Sequence, residues 1–175
     1  RQSKDKNFIE GDQVIVTGYD LGMNTNGGFG EIIHVPSGWV VPLPENLSME
    51  EAIAFGTAGI TAAASVDAVL SKIDAPEFPV AVSGATGGVG SIAVGLLSKL
   101  GIDVTAITGK ENSNQFLKDL GAKNIILRVD FCSEKIRPLD KTKFSAGVDT
   151  VGGEILSRII SQVDRHGVIT CCGNV

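Results

Sequence analysis

The stretch Val80-Ala81-Val82-Ser83-Gly84-Ala85-Thr86-Gly87-Gly88-Val89-Gly90 decides the fold. Val80 to Val82 is a short apolar run of the kind that forms a buried strand, and Gly84 ends it. From Val89 to Leu100 the apolar residues recur at helical spacing. Aligned on Gly90, the turn between them is a variant of GxGxxG, with Ala85 in the first glycine position, Gly87 in the second and Gly90 in the third. Gly87 would let backbone approach a pyrophosphate, and Gly90 would let the helix pack closely on the strand. The helix start then offers free N–H groups and the positive end of its dipole to a phosphate. Glycine-rich turns are common, but a strand before and a helix after favour a dinucleotide site over a plain structural turn.

The same rhythm continues downstream. Val104 to Ile107 reads as a second strand, Asn112 to Leu120 as a second helix and Asn124 to Leu127 as a third strand. Ala146 to Asp149 is a fourth strand, Glu154 to Val163 its helix, and Val168 to Cys171 a fifth strand. Strands alternating with helices imply right-handed βαβ units and a parallel sheet. The expected class is α/β, a Rossmann-type doubly wound sheet in strand order 3-2-1-4-5. Val80 to Val82 should be central, so that the glycine turn falls at the topological switch point.

Upstream, residues 1–45 read as β structure, with runs at Val14 to Val16 and Phe29 to Val35 around a polar loop from Tyr19 to Asn26. Ser48 and Glu51 have the spacing of a capping box that opens a helical stretch. The expected boundary lies there, with residues 46–175 as the nucleotide-binding domain.

The end of the second strand discriminates between dinucleotides. An NAD site places Asp or Glu there to bind the ribose 2′-hydroxyl. This chain has Thr108-Gly109-Lys110, with Asp103 before the strand and Glu111 beyond the turn. A hydroxyl and an ammonium suit a 2′-phosphate, so the expected cofactor is NADP (NADPH); the competing reading is a solvated turn lysine.

Composition removes other classes. In 175 residues, 43% are hydrophobic and 20% charged, which fits a folded domain, and the net charge of -5 gives no basic field for nucleic acid. Read from the sequence, no uninterrupted apolar run reaches membrane-spanning length, so no membrane partner is expected. The three cysteines, Cys132, Cys171 and Cys172, are an odd count without a CxxC pair, which argues against a disulfide framework or a structural zinc and for a cytoplasmic setting. The 22 glycines mark many turns and close approaches.

Gly11-Asp12-Gln13-Val14, Gly28-Phe29-Gly30-Glu31, Gly56-Thr57-Ala58-Gly59-Ile60-Thr61-Ala62, the Gly84 to Gly90 turn, Leu120-Gly121-Ala122 and Asp149-Thr150-Val151-Gly152-Gly153 together resemble the medium-chain dehydrogenase/reductases. Val16-Thr17-Gly18-Tyr19, Trp39 and Thr108-Gly109-Lys110 are similar to the zinc-free quinone oxidoreductase branch that holds the YhdH/YhfP-type acrylyl-CoA reductases. The resemblance covers essentially the whole chain and roughly the middle half of such an enzyme. It implies that residues 1–45 are part of a GroES-like catalytic domain and that residues 46–175 are a Rossmann domain without its last strand. It places pyrophosphate binding on Thr86, Gly87, Gly88 and Val89, and 2′-phosphate binding on Thr108, Gly109 and Lys110. Asn124 falls where relatives can carry a second arginine near the 2′-phosphate, with Lys123 beside it as a substitute.

The resemblance also places Thr57 and Thr61 at the nicotinamide end and Asn174 near the nicotinamide; helix capping is the competing role for the two threonines. No Cys occupies Phe55-Gly56-Thr57, where zinc-dependent relatives carry a metal ligand. The implied reaction is hydride transfer from NADPH to a quinone or an α,β-unsaturated carbonyl or acyl-CoA, a small-molecule electron acceptor, without metal. The parent enzyme is expected to be a homo-oligomer, and this chain alone to be catalytically silent. The alternative is a non-catalytic NADP(H)-binding module that reports redox state. Asn24, in the polar loop, is open between a cleft ligand and a turn residue, and His34 and His166 read as surface residues.

Overall fold

Five parallel strands in the order β5-β4-β3-β6-β7 form the centre of the computed structural model, which describes residues 7–73, 76–133, 135–138 and 140–173. They are β3 (Val80–Ser83), β4 (Val104–Thr108), β5 (Asn124–Leu127), β6 (Ala146–Asp149) and β7 (Ile169–Cys171). Numbered within this sheet, the order is 3-2-1-4-5, as the βαβ rhythm predicts. The helices are α1 (Met49–Leu70), α2 (Gly88–Lys99), α3 (Asn114–Asp119), α4 (Arg128–Phe131) and α5 (Gly153–Gln162).

The pleat divides β3 between two cores, because successive side chains point to opposite faces. Val80 and Val82 join Val104, Ala106, Ala146 and Val148 under Ala62, Val66 and Val69 of α1, Val94 and Leu97 of α2, and Leu117 of α3. Ala81 and Ile107 face the other way, onto Phe131 of α4, Phe144, and Ile155 and Ile159 of α5. Both faces of the sheet are covered, which is why its strands are continuous apolar runs.

The chain divides into two units, Arg1–Thr57 and Ala58–Val175. In the first, β1 (Val14–Val16) pairs antiparallel with β2 (Val40–Pro42), and Tyr19 stacks on Trp39 with ring centroids 5.1 Å apart. The expected strand over Phe29 to Val35 does not form. Those residues have no regular structure, and Phe29 is fully exposed. An extended run becomes a strand only when its N–H and C=O groups find a ladder partner, and none of the described residues supplies one; β2 lies beyond Pro36 instead. Asn24 bonds its side-chain amide to Asp20 Oδ1 at 3.2 Å, the turn role rather than a free loop amide.

The capping box is present. The Ser48 N–H donates to Glu51 Oε2 at 2.8 Å, and the Glu51 N–H donates to Ser48 Oγ at 3.1 Å. The helix it opens corrects the expectation about membrane-length segments: Met49–Leu70, at 22 residues and a hydropathy of 1.6, is long and apolar enough to cross a bilayer. It is interrupted at Gly56, where φ is 48° and ψ is -150°, and Ala62, Val66 and Val69 of its later part pack into the core.

Candidate functional site

Neighbouring strands leave β3 with their connections running to opposite faces, so a crevice opens beyond the carboxyl ends of β3 and β6. The glycine turn sits at that place. Gly84 takes φ +56°, its carbonyl accepts the Gly87 N–H at 2.8 Å, and Ala85 is buried with its N–H on the Ile107 carbonyl at 3.2 Å. Gly87 is the N-cap of α2 and no side chain caps that end, so the opening N–H groups of α2 receive no side-chain cap. A Cβ on Gly87 would sit 3.2 Å from the Gly84 carbonyl oxygen, and one on Gly88 would sit 3.2 Å from Ala58 Cβ. Gly90 is tighter still. A Cβ there would lie 2.8 Å from Gly84 C and 2.9 Å from Ala85 Cα, a separation real Cβ atoms do not show. Val89 packs its side chain against the core. The turn is a backbone-lined cradle at a helix N-terminus, the donor set an anionic diphosphate needs.

A buried acid braces the cradle from below. Asp149, at the end of β6, is 0% exposed and accepts the Ser83 hydroxyl at 2.5 Å and the Gly152 N–H at 2.7 Å. Ser83 Oγ accepts the Thr150 N–H at 2.9 Å, and the Thr150 hydroxyl returns a bond to the Ser83 carbonyl at 3.0 Å. Both carboxylate oxygens are satisfied, as a buried charge requires. The network ties β3 to β6 where the crevice opens. Its sequence signal is the acid that closes the apolar run Ala146 to Val148, but its partner lies 66 residues earlier and no spacing rule connects them.

Cys171 and Cys172 end β7 beside this network as free thiols. Burial pushes both thiol pKa values up, and the Asp149 carboxylate adds to the rise. The Cys172 backbone N–H donates to the Asp149 carbonyl at 3.0 Å.

At the end of β4, Thr108 is only 1% exposed. Its hydroxyl lies 3.3 Å from Thr86 Oγ1 and accepts the Lys110 N–H at 3.1 Å. Ser113 donates its hydroxyl to the Lys110 carbonyl at 2.6 Å. Thr86, Thr108, Gly109 and Lys110 are thus brought together, with the phosphate turn hydrogen-bonded to the second strand's turn. Asp103 is at the other end of β4 and pairs with Lys123, while Glu111 starts a 3-10 turn.

Asn124 and Lys123 are not in this group. The β4–β5 register sets Thr105 opposite Asn124 and Thr108 opposite Leu127. Asn124 therefore begins its strand about 10 Å from the Gly109 turn, at some 3.3 Å per residue, and its amide bonds to Thr105 Oγ1 at 3.3 Å. The residue that does lie beside Gly109 is Arg128. A Cβ on Gly109 would be 3.7 Å from the Arg128 Cζ and Nε atoms. Carrying the strand end forward from Leu127 would have found it. Thr57 is in the first unit with its hydroxyl 3.1 Å from that of Thr17, and Thr61 is on α1 in the second. Asn174 lies outside the described residues.

Residues 88–175 match the zinc-binding dehydrogenase family. Among curated proteins the chain is similar to the acrylyl-CoA reductase AcuI of Ruegeria pomeroyi, 38% identical over 98% of this chain and 52% of that protein. Among solved structures it is similar to Escherichia coli YhdH with bound NADPH, with a TM-score of 0.94 at 38% identity over 99% of this chain and 54% of that one. Bacillus subtilis YhfP with NAD bound gives a TM-score of 0.92 at 45% identity over 98% of this chain and 52% of that one. The chain spans about half the length of the curated relatives it matches.

Proposed function

The chain belongs to the zinc-binding dehydrogenase family of medium-chain dehydrogenase/reductases, and from that premise we propose that it forms the nucleotide-binding part of an NADPH-dependent reductase. The acceptor is a quinone or an α,β-unsaturated carbonyl or acyl-CoA of the acrylyl-CoA type. Residues 1–45 are read as a GroES-like catalytic segment, residues 46–175 as the Rossmann domain, and the setting as cytoplasmic. The observation that carries the reading is the Gly84 to Gly90 turn, whose closest approaches are backbone on backbone and whose helix end has no side-chain cap.

Each residue's task follows from its place. The N–H groups at Gly87, Gly88 and Val89 and the α2 dipole hold the pyrophosphate, with Thr86 beside them and Gly90 seating the helix close enough to reach it. Lys110 meets the 2′-phosphate, and the buried Thr108 sets the turn that presents it. Thr57, Thr61 and Asn174 are read as orienting the nicotinamide end. When bound, NADPH supplies the hydride. The reaction is read as metal-free, which is supported by the lack of any grouping of three His, Cys, Asp or Glu side chains fit to hold an ion among the described residues.

Relatives have been solved with NADPH and with NAD, so the choice between them rests on the Lys110 turn. In calorimetric titration the protein should bind NADPH more tightly than NADH. Lys110→Gln should weaken NADPH by about 1 to 3 kcal/mol, the scale of a charged hydrogen bond, and leave NADH unchanged. NADPH should be consumed when the whole enzyme meets an acrylyl thioester or a small quinone. Tight NADPH binding without turnover on either would favour the redox-reporting module instead.

A further inference from the structure

Two cations flank one backbone turn at the end of the sheet. We propose that Arg128, together with Lys110, forms the seat for a phosphate monoester on the adenosine ribose, and that Arg128 is the residue that sets NADPH above NADH. The inference rests on the NADPH reading above and assigns its selectivity to a side chain one strand away from the glycine turn.

Position comes first. Thr108 and Leu127 stand opposite each other where β4 and β5 end, so the next residues, Gly109 and Arg128, leave the sheet side by side. Gly109 has no side chain to separate them. A Cβ there would be 3.7 Å from Arg128 Cζ and Nε and 3.8 Å from Nη2, so the guanidinium lies along the backbone of the turn that carries Lys110. Arg128 begins the single helical turn α4, whose Phe131 is anchored in the core, so the base of the side chain is fixed.

Charge comes second. Among the described residues neither Lys110 nor Arg128 has an ion-pair partner, whereas Lys123 is paired with Asp103 and Arg158 with Glu154. Both cations are exposed, and the strand end between them is the buried Thr108 rather than a carboxylate. An acid at this position would bind ribose hydroxyls; two cations without one suit a dianion.

Chemistry comes third. An ammonium is a point charge, while a guanidinium offers a planar fork that can donate two bonds to one phosphate. Lys110 therefore adds attraction, and Arg128 adds the geometric demand for a phosphate. A 3′-phosphate, as on coenzyme A, has the same chemistry on the neighbouring ribose carbon, and the test separates the two.

Wild type, Arg128→Gln, Arg128→Lys and Lys110→Gln are titrated with NADPH, NADH, 2′,5′-ADP, 3′,5′-ADP and 5′-AMP, with thermal midpoints measured alongside. Arg128→Gln should weaken NADPH and 2′,5′-ADP by about 10- to 100-fold and leave NADH and 5′-AMP within about twofold. Arg128→Lys should recover part of the loss. Preference of the wild type for 3′,5′-ADP over 2′,5′-ADP would overturn the assignment to NADPH. Equal loss of NADPH and NADH, or loss of neither, would overturn the role of Arg128 alone. A wild type that does not distinguish NADPH from NADH would overturn the NADPH reading itself.

Discussion

Adding one methyl group to the glycine turn should have opposite effects at two positions on the same helix. At Gly90 the new Cβ would stand 2.8 Å from Gly84 C and 2.9 Å from Ala85 Cα, both backbone atoms of the turn. Carbon atoms rest at about 3.5 to 4.0 Å, so α2 must retreat by roughly 1 Å. Overpacking of that kind costs about 1 to 3 kcal/mol. Ala is a better helix former than Gly by about 1 kcal/mol, which offsets part of it.

The net loss for Gly90→Ala is therefore about 1 to 2 kcal/mol, or roughly 2 to 8 °C in Tm for a domain of this size. At Gly95 the nearest atom to a new Cβ is Leu120 Cδ2 at 3.9 Å, an ordinary contact. Gly95→Ala should gain the helix term alone, raising Tm by about 2 to 4 °C. Scanning calorimetry measures both, and titration with NADPH measures the site. Gly90→Ala should lose at least about tenfold in affinity because the N–H groups retreat with the helix, and Gly95→Ala should lose nothing. A Gly90→Ala protein as stable as Gly95→Ala and binding as tightly would refute the claim that the turn and α2 are in backbone contact.

Three further outcomes follow from other residues. Asp149→Asn places an amide donor against the Gly152 N–H or the Ser83 hydroxyl, leaving a buried donor unpaired at about 1 to 3 kcal/mol; an unchanged urea midpoint would contradict the buried network. Glu51 has its pKa held below the ordinary 4.5, first by the Ser48 backbone N–H and then by the Ser48 hydroxyl. A depressed pKa stabilises the fold above 4.5, and that contribution is lost as pH falls through the lower folded value. The wild type should thus exceed Glu51→Gln in stability at pH 6, and the gap should close in acid; a gap independent of pH would dismiss the capping carboxylate. Cys171 and Cys172 have thiol pKa values raised above the ordinary 9.0, so their contribution to stability is complete below 9.0 and lost as pH rises through the raised values. Iodoacetamide at pH 8 should alkylate both more slowly than a cysteine peptide, and peptide-like rates would show that the thiols are not desolvated.

What was legible in the sequence was whatever depends on neighbours along the chain. Val80 to Val82, the glycine turn and the helix after it state a βα unit by themselves, and the repeat of that unit implies the strand order through the handedness of its crossovers. The Ser48 and Glu51 cap was equally readable, because both partners lie within one turn. Phe29 to Val35 misled because its apolar alternation satisfies the strand pattern, while a strand also needs a pairing partner. Asn124 drew attention over Arg128 because only the register of β5 against β4 reveals which end of the strand meets Gly109. Asp149 needed Ser83 beside it, a contact made by the sheet and by nothing in the local pattern.

The most direct test is a crystal structure of the protein grown with NADPH. The pyrophosphate should rest on the N–H groups of Gly87 to Val89, with the adenosine 2′-phosphate at the Gly109–Lys110 turn between the Lys110 ammonium and the Arg128 guanidinium. A dinucleotide bound elsewhere, or one whose 2′-phosphate points away from that turn into solvent, would contradict the account.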